Sequence, residues 1–172
     1  MNLATHPVWL FQTIDVYNDY VTTPNNPLRM GSDEPLSEGT EQELRDVRTT
    51  LLRLHKTLLE FERDGYERAQ ERISNSYEFL QLVMNHPWFA WLRQLSELIV
   101  EMDEVLDARN PSSETTAVAL IEHSRILLTP NESGDDFQKK YFAAVQQAPQ
   151  VVLAHAEFAK VLGPARLSKE IH

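Results

Sequence analysis

The chain contains no cysteine. That excludes a disulfide framework, thiolate metal sites and cysteine nucleophiles, and it fits a reducing compartment such as the cytoplasm. Glycine is scarce, with five among 172 residues, so hairpins built on glycine turns are not expected. No run approaches the ~20 apolar residues that span a bilayer. The first basic residue is Arg29, so the positive leader of a secretory signal is missing and none is expected. Basic residues are the minority, 16 against 26 acidic, and the net charge of −10 disfavours a phosphate backbone as partner. No Gly-x-Gly-x-x-Gly loop, Walker loop or Gly-x-Ser-x-Gly elbow occurs.

What is present is a helical pattern punctuated by proline. Apolar residues make up 42% of the chain, a globular value, and the length suits one domain. The spacing of Leu44, Val47, Leu51, Leu54, Leu58, Phe61 and Gly65 predicts a long helix over 40–73, started by a capping box of Thr40 and Glu43. Gly65 on its inward face implies a close crossing by another helix. Asn75 and Glu78 predict a short helix over 76–85. Pro87 then opens a helix to Ala108 with the stripe Trp88, Trp91, Leu95, Leu98, Ile99, Met102, Val105 and Leu106. Further helices are expected over 114–128, from a cap at Ser133 or Asp135 to about 147, and from Pro149 to the stop at Gly163-Pro164. The fold class expected is all-α: a compact bundle of five to six helices over 40–163, with an irregular N-terminal arm over 1–39 and a tail over 164–172.

Within the arm, Val8 to Val21 is aromatic and β-branched, and a turn-rich linker follows. Met30 offers an alternative translation start. Trp9, Phe11, Tyr17 and Tyr20 need burial, so docking of the arm on its own body or on a second chain, giving a dimer, is an expectation.

Several polar residues break the stripes. His55 and Glu62 fall near the centre of the apolar face of the first long helix, and Tyr66 shares that face. Asp103 borders the apolar arc of the tryptophan helix, and His155 lies inward among Val151, Phe158 and Leu162. A buried carboxylate needs a partner, so Glu62 is expected to meet one on another helix. Three readings follow: a core hydrogen-bond network of two histidines and two acids; a small-molecule pocket lined by Tyr66, Trp88 and Trp91; or a metal site of His55, Glu62, Asp103 and His155. Spacing weakens the last, since His55 and Glu62 are about 10 Å apart along a helix axis and no Glu-x-x-His occurs. No cofactor can be named. His86, before Pro87, is expected to cap a helix, and Glu97, Glu101 and Glu104 form an acidic stripe expected to face water.

Two runs are distinctive: Leu54-His55-Lys56 through Leu58-Leu59, Glu62-Arg63 and Tyr66-Glu67, and Pro87-Trp88-Phe89-Ala90-Trp91-Leu92-Arg93 through Leu95-Ser96, Leu98-Ile99-Val100 and Asp103-Glu104. In this pattern, over roughly 44–163, the chain resembles a bacterial family of small uncharacterised helical proteins. The resemblance implies a compact helical fold and no reaction or cofactor. The function expected is that of a binding or interaction module rather than an enzyme, with a protein partner or self-association, no nucleic acid and no membrane. The alternative is a small-molecule- or metal-binding protein using the interior polar residues beside Trp88 and Trp91.

Overall fold

A computed structural model describes residues 34–107, 109 and 112–163. Six α-helices and one 3₁₀ segment account for most of them: α1 (Glu38–Ala69), α2 (Ser76–Asn85), the 3₁₀ segment (Pro87–Leu92), α3 (Arg93–Val105), α4 (Glu114–Leu127), α5 (Asp136–Gln147) and α6 (Pro149–Leu162). The fold is an all-α bundle. The expectations for the Val8–Val21 run, the start at Met30 and the tail lie outside the described residues.

α1 is the axis of the bundle, with α3, α4, α6 and the 3₁₀ segment packed against it. Leu44, Val47, Leu51, Leu54 and Leu58 are fully buried along its inward stripe. They meet Leu95, Leu98 and Met102 of α3, Ala117 and Ile121 of α4, and Val151, Phe158 and Leu162 of α6 in one core. A second, smaller cluster forms at the far end of α1, where Tyr66, Ile73 and Phe89 pack with Phe79, Leu82 and Val83 of α2. Tyr77, Leu80 and Met84 on the outer face of α2 are exposed. Among the described residues no helix is long and apolar enough to cross a membrane.

Most helix starts follow from local chemistry. Asn75 accepts from the Glu78 N–H at 2.9 Å, and Ser113 accepts from Thr116. Asp135 and Gln138 form a reciprocal capping box, and Gly163 ends α6 at φ 61°, a left-handed conformation that suits glycine. His86 caps the 3₁₀ segment, its Nδ1 accepting from the Trp88 N–H at 3.2 Å.

Two start sites differ from expectation. The cap of α1 is Ser37, not Thr40; Thr40 is buried one turn in and donates its hydroxyl to Glu114, whose carboxylate also accepts from the Ser37 N–H. This brace ties the beginnings of α1 and α4 together, a long-range bond that outranks the local capping box. The tryptophan helix is also not continuous. Residues 87–92 wind as 3₁₀, at ~3.0 rather than ~3.6 residues per turn, so the buried set there becomes Phe89, Trp91 and Leu92, with Trp88 only half-buried. Phe89, outside the expected stripe, is almost fully buried.

A candidate ligand cleft at Glu62

The polar residues singled out by pattern do not converge. Each takes a different partner. Half-buried His55 meets Ser96 of α3, Nε2 to Oγ, at 3.2 Å. Its burial pushes the imidazole pKa down. Asp103, expected at the edge of the interior, is exposed and bonds Arg48 of α1, Nη2 to Oδ2, at 3.0 Å; the shorter Nε–Oδ1 approach of 2.8 Å is off the hydrogen-bond direction. Helix phase placed Asp103 at a border, and at that border its carboxylate turns to solvent, where the long Arg48 side chain reaches it. His155 meets the hydroxyl of fully buried Tyr141 at 2.7 Å from Nδ1. Burial raises the phenol pKa and lowers that of the imidazole, so the bond joins two neutral groups. Among the described residues no three His, Asp or Glu side chains gather as a metal site would require.

Glu62 is different. α1 and α5 share no extended packing contact, and the gap between them, closed at one side by the 3₁₀ segment, is a cleft of about 360 Å³. It is lined by Phe61, Glu62, Gly65 and Arg68 of α1, Trp88, and Lys140, Ala143, Ala144 and Gln147 of α5. Phe61, Gly65 and Arg68 follow one another at i, i+4 and i+7, so one face of α1 makes a whole wall. The expected close approach at Gly65 is made by the Trp88 ring rather than by a crossing helix. A Cβ at 65 would lie 3.4 Å from Trp88 Cζ2.

Burial pushes the Glu62 carboxyl above the ordinary carboxylate range, while the Trp88 indole N–H, the Lys140 ammonium and the Trp91 indole N–H pull it back. Both indole nitrogens are buried, and neither finds an acceptor at proper hydrogen-bond distance and angle. Both donors reach the Glu62 carboxylate as long or poorly aligned hydrogen bonds, so Glu62 is the acceptor they share. Trp91 is 8% exposed, so its N–H has little access to bulk water. Arg68 and Lys140, both exposed at the mouth, are in no ion pair among the described residues.

Of the residues expected to form a pocket, Glu62 and Trp88 line the cleft. Trp91 stands beside Glu62, and its ring contacts Phe137, which stacks on Tyr141. Tyr66 does not line it; it packs edge-on against Trp88 from behind, with ring centroids 5.8 Å apart. His55, Asp103 and His155 belong elsewhere. Arg68 was within reach of helix phase, being on the stripe of Phe61 and Gly65. Lys140 and Gln147 carry no sequence signal connecting them to residue 62. The acidic stripe behaves less simply than a wet face: burial raises the pKa of Glu97, and burial with mutual repulsion from Glu97 and Glu104 raises that of Glu101.

No known protein family, curated protein or solved structure compared with the chain matches it.

Proposed function

We propose that the protein is a binding module whose ligand is a small organic molecule held in the cleft between α1 and α5. The observation that carries this reading is the half-buried Glu62 carboxylate on the wall of a cleft, held there by two indole N–H groups at poor hydrogen-bond geometry. A carboxylate kept from water costs stability, and a core serving stability alone would replace it with an apolar side chain. A carboxyl shifted by burial in a concave, partly apolar site is a common mark of a ligand site. The volume stands at the lower end of the roughly 300–1,000 Å³ usual for such pockets, which suits a ligand built on one ring.

The reading is tested by saturation-transfer NMR on the full-length protein with a mixture of indole, phenol, benzoate and benzylamine. Ala143→Phe, which fills the cleft from a partly exposed position on α5, is the control. Transfer to at least one compound, lost in Ala143→Phe with the helical circular dichroism unchanged, is expected. No transfer to any of the four, or transfer indifferent to Ala143→Phe, overturns the reading.

A further inference from the structure

We propose that the outer face of α2 pairs with the same face of a second copy of the chain, the two helices lying antiparallel across a two-fold axis near Leu80. No residue of this face lines the cleft, so the pairing and the ligand reading stand or fall separately.

α2 is apolar on more than one side. Phe79, Leu82 and Val83 turn inward to the cluster of Tyr66, Ile73 and Phe89. Tyr77, Leu80 and Met84 follow one another at i, i+3 and i+7 on the outer side, so they form one stripe. They are 73%, 52% and 58% exposed. Among the described residues the other exposed large apolar side chains are spread singly or in pairs over α1, α3, α4 and α6. Scattered exposure needs no explanation, whereas a stripe along a whole helix does. No residue of α2 is buried. A helix of ten residues is too short to be stable in water by itself, so it depends on packing, and here one side alone is packed.

The charge pattern selects the occupant. Near a two-fold axis each side chain meets its own copy, so a charge there repels itself. α2 carries a single charged residue, Glu78, in a chain that is 24% charged. Glu78 turns back to accept from the Ser74 N–H at 2.8 Å, and the stripe itself holds no charge. For a chain of net charge −10, such a face is where a second copy approaches at least electrostatic cost. The positions are also self-complementary. Tyr77 and Met84 lie symmetrically about the point between Leu80 and Gln81, about 10 Å apart along the helix. Antiparallel pairing therefore sets Leu80 against its own copy and Tyr77 against the partner's Met84, a favourable contact of thioether and ring. It also sets the two helix dipoles in opposition. Two short helices make a small interface, so the dimer is a reversible one.

The full-length chain has no cysteine, so introduced cysteines report on the pairing. Tyr77→Cys mixed with Met84→Cys is expected to form an interchain disulfide on mild oxidation. Either variant alone should form at least about tenfold less, because its two copies are then ~10 Å apart along the helices, beyond the ~7 Å a disulfide spans between Cα atoms. Light scattering over a dilution series should show the wild type falling from twice the chain mass toward the chain mass. Leu80→Glu, at an exposed position and with circular dichroism unchanged, should raise the dissociation constant at least about a hundredfold. A dimer that Leu80→Glu leaves intact, or equal cross-linking of the mixed and single cysteine variants, overturns the proposal. So does a wild type that is a monomer at every concentration; if Tyr77 in that monomer is protected from nitration by tetranitromethane, another segment of the same chain covers the face.

Discussion

The two halves of α1 are built for different ends. From Leu44 to Leu58 every fourth or third residue is fully buried against α3, α4 and α6, and the polar groups beside this stretch are matched: His55 with Ser96, Arg48 with Asp103, Thr40 with Glu114. From Phe61 to Arg68 the same face carries a carboxylate, a glycine and an arginine, and opens on a cleft where two indole N–H groups reach that carboxylate only at poor geometry. The first half is packed on every side, with Arg48 Nε alone of its paired atoms off the hydrogen-bond direction. The second borders a cleft, and its one carboxylate is left as the shared, poorly aligned acceptor of two indoles. One helix with one continuous phase thus has a closed half and a half that borders a cleft, because α5 stands off from the second.

Substitutions can break or sharpen that contrast. The largest effect is expected in the closed half, where Leu51→Ala should cost about 2–5 kcal/mol by emptying a fully buried position, read by chemical denaturation. Smaller is Tyr141→Phe, which removes the hydrogen bond to His155 Nδ1 and should cost about 1 kcal/mol in the same assay. In the open half the signs should reverse. Gly65→Ala gains helix propensity of up to about 1 kcal/mol, and its Cβ meets Trp88 at ordinary contact distance, so the melting temperature should rise.

The smallest effect, and the one most diagnostic of a site, is that of Glu62→Gln, which should stabilise the protein by less than about 1 kcal/mol near neutral pH. Its pH dependence follows from the raised carboxyl pKa. As pH rises from about 4.5, the unfolded chain ionises residue 62 before the folded one does, and the wild type loses stability through that window. The advantage of glutamine should therefore be absent in acid and complete at neutral pH. The histidines act oppositely. With folded pKa values below 6.5, His55 and His155 hold the fold together above that pH, and their contribution is lost as pH falls and the unfolded chain takes up protons first. Thermal melts of wild type and Glu62→Gln between pH 4 and 8 separate the two trends. An advantage independent of pH would show that the Glu62 carboxylate does not carry the cost assigned to it.

Much of this was legible from residue order alone. Asn75, His86, Ser113 and Pro149 announce their helices because a cap or a proline acts within one turn of chain. The inward stripe of α1 follows from its period for the same reason. The start of α1 escaped because Glu114, far along the chain, takes the Thr40 hydroxyl and leaves the cap to Ser37. The buried role of Phe89 escaped because winding as 3₁₀ shifts phase by tens of degrees per turn, which a single assumed period does not reproduce.

For the site, helix phase found Glu62 on an inward face and placed the tryptophans near it, and it went no further. An inward position says that a side chain leaves bulk water, not whom it meets. So His55, Glu62, Asp103 and His155 looked like one cluster and are four separate contacts. The cleft itself has no signature in the chain, since it arises from the distance α5 keeps from α1 and from Trp88 filling the space above Gly65. Sequence determined the helices, their ends and their faces, all of which are local and periodic properties. The tertiary structure decided which polar groups meet and how well they are aligned, because that depends on the approach of segments that are distant in sequence.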